Sequence, residues 1–119
     1  MIIGIGVDII ELDRIKKAMD KQPRFLEKIL TKKEQATCCQ FTEKRLVEYI
    51  AGRFAAKEAF VKAAGTGISA TYGWHDIEVL NEDSGKPVLH TEIDCTVHLS
   101  ISHSESNAIA QVILERLSS

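Results

Sequence analysis

Apolar residues recur at helical spacing through the first half of the chain and alternate through the second. Ile2 to Val7 sets β-branched residues against Gly4 and Gly6, which predicts a short buried strand ending at Asp8. Ile9, Leu12, Ile15 and Ala18/Met19 keep a helical interval, predicting a helix over about residues 11–21 with Arg14 and Lys17 outward. Pro23 suits the first turn of a second short helix through Leu30. Thr31-Lys32-Lys33-Glu34 has the form of a capping box and starts a third helix that fades near Cys39. From Thr42 to Ala64 there is no proline and one glycine, so a long central helix follows. Its Val47, Ile50, Ala51, Phe54 and Val61 share a stripe about 100° wide, with Glu58 in the middle.

After Gly65-Thr66-Gly67 the period becomes two. Ile77, Val79 and Trp74 mark a strand, Asn81 to Pro87 are dense in turn formers, and Val88 to Ile93 return. Val97, Leu99 and Ile101 alternate inward along Thr96–His103, and Ala108 to Leu114 form the last strand. The expected fold is α+β, one domain over residues 1–119, with the long helix packed on an antiparallel meander. At 119 residues the chain suits a single core.

Charge refines the picture. The net charge is −2, whereas general nucleic-acid binders carry a basic excess. Residues 14–33 nonetheless hold Arg14, Lys16, Lys17, Lys21, Arg24, Lys28, Lys32 and Lys33 against Asp20 and Glu27, a face suited to an acidic partner or simply to water. Cys38, Cys39 and Cys95 form neither a CxxC nor an even set, and point to a reducing cytoplasm. The opening residues lack a basic n-region and run directly into Asp8, unlike a signal peptide, and no apolar run reaches membrane-spanning length.

Three constellations carry candidate chemistry. Asp8 and Glu58, if the helix packs on the strand, form a carboxylate pair of the kind that holds Mg²⁺ with waters and phosphate. A salt-bridged core glutamate is the plainer alternative for Glu58. Lys44, Arg45, Arg53, Lys57 and Lys62, with the Gly65-Thr66-Gly67 stop, suit several phosphates, although Walker and GxGxxG loops are absent. Ser102-His103 ends an inward-facing strand; His103 is a base or phosphate ligand, while Ser102 lacks a nucleophile elbow. His75, His90 and His98 read as structural.

Taken together, Gly4-Ile5-Gly6-Val7-Asp8-Ile9, Phe25…Leu30-Thr31…Glu34, Gly52-Arg53-Phe54-Ala55-Ala56-Lys57-Glu58-Ala59…Lys62-Ala63…Gly65-Thr66-Gly67, Asp76-Ile77-Glu78-Val79, Gly85-Lys86-Pro87 and Ser100-Ile101-Ser102-His103-Ser104 resemble the holo-acyl-carrier-protein synthases. These are the short bacterial 4′-phosphopantetheinyl transferases, and the resemblance runs the length of the chain. It implies transfer of 4′-phosphopantetheine from coenzyme A to a serine of apo-acyl carrier protein, releasing adenosine 3′,5′-bisphosphate, in fatty acid biosynthesis. It further implies Mg²⁺ on Asp8 and Glu58, and a phosphate path along Arg53, Lys57, Lys62 and Gly65–Gly67. Gly85, Lys86, Pro87 and His103 would meet the adenosine end, and Arg14, Arg24 and Lys28 the carrier protein. Glu58 is the first choice for general base and His103 the second. The family forms trimers with sites between subunits. The competing expectation is a non-catalytic module that binds an acidic partner through its basic helices, which would leave Asp8 and Glu58 without purpose.

Overall fold

The long helix forms as its sequence dictates and becomes the axis of the molecule. In the computed structural model, which describes residues 1–117, α4 spans Glu43–Ala64. The Thr42 hydroxyl accepts from the Arg45 N–H at 3.3 Å, and Gly65 closes the helix at φ 81° with its N–H on the Val61 carbonyl. Before it come β1 (Ile2–Glu11), α1 (Leu12–Lys21), α2 (Phe25–Ile29) and α3 (Lys32–Cys38). After it come a 3-10 turn at Trp74–Asp76, then β2 (Glu78–Asn81), β3 (Pro87–His90), β4 (Thr96–His103) and β5 (Asn107–Glu115).

All strand pairs are antiparallel, in two sheets rather than one meander. One sheet has the order β1-β5-β4, and β2 and β3 form a separate hairpin. β1 runs past Asp8 to Glu11 because β5 pairs with it along its length, from Ile2 opposite Glu115 to Glu11 opposite Asn107. Ile9 therefore belongs to the strand, not the first helix. Pro23 precedes α2, Trp74 lies in the 3-10 turn, and the returning strand stops at His90.

The apolar stripe of α4 is wider than a single face. Ile50, Ala51, Ala55, Ala56, Ala59, Phe60 and Val61 are all fully buried, because the sheet covers one side and α1–α3 with the β2–β3 hairpin cover the other. Phe54, predicted within the stripe, and Glu58, predicted at its middle, are half-buried. Ile10, Ala108, Ala110, Val112 and Leu114 supply the sheet's side of the core. The opposite sheet face is uncovered and apolar, with Ile5 and Ile9 each 62% exposed beside Val7 and Ile109.

One buried ion pair ties the helical layer together. Lys57, with no exposed surface, donates to Glu34 Oε1 and the Ile29 carbonyl at 2.7 Å each and to the Trp74 carbonyl at 3.0 Å. Glu34 in turn accepts from the Thr31 and Val79 N–H groups at 2.8 Å each. The capping box on α3 thus also supplies a counter-ion for α4. Burial pushes the Lys57 pKa down, and Glu34 opposes that shift. Lys57→Met leaves the Glu34 carboxylate buried without its cation. Urea denaturation should show a loss of about 3–5 kcal/mol, part of it recovered in Lys57→Met/Glu34→Gln. An unchanged midpoint for the single variant would deny the pair this role.

Candidate active site

Glycine determines where the first carboxylate lies. A Cβ built on Gly4 would lie 2.2 Å from the Ala63 carbonyl oxygen, and one on Gly6 would lie 2.0 Å from that of Ala59. Backbone therefore meets backbone, and β1 lies directly on the last turns of α4. Asp8 shares the inward parity of Gly4, Gly6 and Ile10 and comes up beside the helix. Lys62 Nζ lies 3.1 Å from Asp8 Oδ1 and 3.2 Å from the Val7 carbonyl. Glu58, one turn before Lys62, completes a group of two acids and one base. Burial, then the neighbouring charge of Asp8, raises the Glu58 pKa, while Lys62 holds it down. Asp8 and Glu58, expected as a pair, thus come together, and Lys62, expected on a phosphate path, joins them by its bond to Asp8.

The remaining cations divide into different roles. Lys57 does not line a phosphate path: it is sealed in the core, where Glu34 and two carbonyls take its three donors. Arg53 is 7% exposed, with its guanidinium 4.0 Å above the Tyr49 ring and Nη2 donating to Asn81 Oδ1 at 3.1 Å. It fastens the start of the Asn81–Pro87 turn instead of projecting into solvent. Lys44 and Arg45 are exposed near the start of α4, Arg45 lying over the Phe41 ring at 5.1 Å. Gly65–Gly67 cap the other end of the helix, roughly 30 Å away. One compact phosphate cradle cannot use both ends within one chain.

His103 keeps the inward parity expected of it and meets Glu48 of α4, Nδ1 to Oε2 at 3.8 Å. Ser102 faces the opposite side of the sheet, paired with the exposed Ile109, so a Ser102–His103 dyad does not form. Counting strands and residues from the register, Asp8 and His103 lie roughly 12 Å apart, on the two outer strands of the sheet. Gly85, at φ 91°, and Lys86 form the exposed tip of the β2–β3 hairpin, and Pro87 begins β3. Arg14, Arg24 and Lys28 are exposed on α1, at the cap of α2 and on α2. His75 bonds to the Glu27 carbonyl and His98 to Glu115, in keeping with structural roles.

A groove of about 860 Å³ runs between the starts of α1 and α4, bordered by Glu11, Asp13, Lys16, Lys44 and Glu48. Asp8, Glu58 and Lys62 do not line it. Among the described residues no three His, Cys, Asp or Glu side chains gather into a metal centre, and no helix is long and apolar enough to cross a membrane. Sequence reasoning placed Glu34 in the capping box but missed its pairing with Lys57, and it missed Glu48 altogether. A lysine on an alanine-rich, fully covered helix was a signal that an acid had to exist for it. Nothing in the pattern singled out Glu48, whose partner lies on a distant strand.

This fold and this grouping define a class. Residues 4–113 match the model of the 4′-phosphopantetheinyl transferase superfamily, and the chain belongs to that family. It is an enzyme, a phosphopantetheinyl transferase, not a binding-only module. The particular relatives are holo-[acyl-carrier-protein] synthases. That of Halalkalibacterium halodurans is 66% identical over 119 residues, covering 100% of both chains. The crystal structure of the Bacillus anthracis synthase, described as a complex with CoA (3′,5′-ADP), superposes with a TM-score of 0.93. It is 55% identical over 98% of this chain and 99% of its own. The Helicobacter pylori synthase in complex with coenzyme A gives a TM-score of 0.81 at 30% identity, covering 93% of this chain and 99% of its own.

The raised Glu58 pKa has a definite sign for stability. In the fold the carboxyl prefers its proton more than it does in the unfolded chain, so this contribution is fully present at acid pH. It is lost as pH rises through the folded pKa. Glu58→Gln should therefore melt above the wild type at neutral pH, with the gap closing as pH falls through the carboxylate range. A variant that melts below the wild type at neutral pH would contradict the placement of Glu58.

Proposed function

We propose that this chain transfers 4′-phosphopantetheine from coenzyme A to a serine of apo-acyl carrier protein and releases adenosine 3′,5′-bisphosphate. The observation that carries the proposal is the meeting of Asp8, Glu58 and Lys62 where β1 rests on α4. The serine oxygen bonds to the phosphorus bearing pantetheine, the bond to the bridging pyrophosphate oxygen breaks, and the serine proton passes to Glu58. Glu58 stands beside Asp8 and one helical turn before Lys62, where its carboxylate oxygen can take that proton. His103 is the second candidate for that proton.

Two oxygen-donor acids, one of them short of compensation for its charge, fit a small hard cation such as Mg²⁺. When bound, the metal neutralises the pyrophosphate and the leaving oxygen. Lys62 reaches the same place from the helix and steadies negative charge developing there. The Gly65–Gly67 backbone lies one turn further on. At the far end of the ligand, Lys44, Arg45 and His103 face the nucleotide phosphates, with the Gly85–Pro87 turn that Arg53 fastens. Arg14, Arg24 and Lys28 form a basic face for the acidic carrier protein, with an encounter that weakens as salt is added.

The assembly is a homotrimer of single-domain chains spanning residues 1–119, working in the cytoplasm on fatty acid biosynthesis. The uncovered apolar face of the β1-β5-β4 sheet supports self-association. Asp8 on one outer strand and His103 on the other suit a site shared between neighbouring chains. A monomer by light scattering, fully active, would remove this part.

The direct experiment follows adenosine 3′,5′-bisphosphate from coenzyme A and an apo carrier protein. Asp8→Asn and Glu58→Gln should each lower transfer at least roughly a hundredfold at limiting Mg²⁺ while remaining folded. Wild-type transfer by either variant would contradict the assignment.

A further inference from the structure

Lys62 serves the two acids of the site from a flexible tether. Its ammonium donates to Asp8 Oδ1 at 3.1 Å and to the Val7 carbonyl at 3.2 Å, so among the described residues both of its hydrogen bonds go to β1. The Asp8 side chain is 15% exposed and that of Lys62 54% exposed. The carboxylate is thus held in the packed layer, while the ammonium reaches it across the surface on its aliphatic stem. Glu58 stands one turn back on the same helix, close enough for Lys62 to hold its pKa down. When both acids are ionised they carry two negative charges against the one positive charge of Lys62. A half-exposed lysine pair is weak and readily exchanged, whereas a mostly buried carboxylate keeps a cation beside it.

A small hard cation holds a carboxylate oxygen at about 2.1 Å. That is closer than the ammonium comes, and a divalent ion brings twice the charge, so the two cations compete for Asp8 Oδ1. We propose that Lys62 is an exchangeable counter-ion of the carboxylate pair: its ammonium leaves Asp8 when Mg²⁺ binds there, and takes a phosphate oxygen of coenzyme A instead. The inference rests on the assignment of Mg²⁺ to Asp8 and Glu58. The exchange couples the two ligands. Without the metal, Lys62 gives up Asp8 to reach a phosphate; with it, that bond is already released. Mg²⁺ therefore strengthens coenzyme A binding through Lys62 as well as by its own contact, and coenzyme A strengthens Mg²⁺ binding by the same factor. Two cations that merely shared the phosphates would do the reverse, each weakening the need for the other.

The test measures binding without a carrier protein, so that nothing turns over. Lys62→Met keeps the aliphatic stem and removes the charge at a half-exposed position. Calorimetry follows coenzyme A into wild type and Lys62→Met, once with Mg²⁺ and once with a chelator. The affinity lost in the variant should be about fivefold or more greater with Mg²⁺ than with the chelator. Electron paramagnetic resonance then follows Mn²⁺, standing in for Mg²⁺, with no coenzyme A present. Lys62→Met should bind Mn²⁺ about fivefold or more tighter than the wild type does. A loss of coenzyme A affinity that is equal or smaller with Mg²⁺, or an unchanged affinity for Mn²⁺ alone, would overturn the proposal. Asp8→Asn separates it from the reading beneath. If Asp8→Asn loses Mn²⁺ while Lys62→Met binds it as the wild type does, this inference alone fails. Wild-type Mn²⁺ binding by Asp8→Asn removes the metal assignment and the inference with it.

Discussion

The backbone of β1 touches the backbone of α4, and the placement of the site follows from that contact. A side chain at Gly4 or Gly6 would overlap the helix carbonyls of Ala63 or Ala59. Without that overlap the strand lies close enough for Asp8, two residues beyond Gly6, to stand beside Glu58 and Lys62. Both surfaces are pared down to let two acids come together, with Lys62 as the cation beside them.

A second constraint fixes the helix from its other side. The Lys57–Glu34 pair joins α4 to α3, and its further bonds reach the end of α2, the 3-10 turn and the start of β2. Adjacent charged residues therefore do opposite work. Lys57 points into the helical layer and holds the fold, while Glu58 points toward the sheet, beside Asp8. The 100° turn per residue separates them. The Arg-Phe-Ala-Ala-Lys-Glu stretch thus combines a structural cation with the anion of the proposed site.

Much of this was legible in the sequence. Capping at Thr31 and Thr42, the stop at Gly65, the turn at Asn81–Pro87 and the inward parity of His103 rest on local rules, and all appear where those rules place them. Asp8 and Glu58 were legible as a pair because each was an acid in an apolar context. What the sequence hid was non-local. The pairing of β1 with β5 lengthened the first strand past Asp8, and no short window shows a partner a hundred residues away. Lys57 looked like one more phosphate ligand because periodicity gives a direction around the helix without saying what covers it. Glu48 escaped for the same reason.

The close approach of β1 to α4 is tested most directly by the equilibrium unfolding of Gly6→Ala. Backbone propensity alone makes alanine in a strand more stable than glycine by roughly 0.5–1 kcal/mol. Contact with the Ala59 carbonyl reverses that sign, so the account predicts a loss of about 1–3 kcal/mol or more. A Gly6→Ala protein as stable as the wild type, or more so, would contradict it.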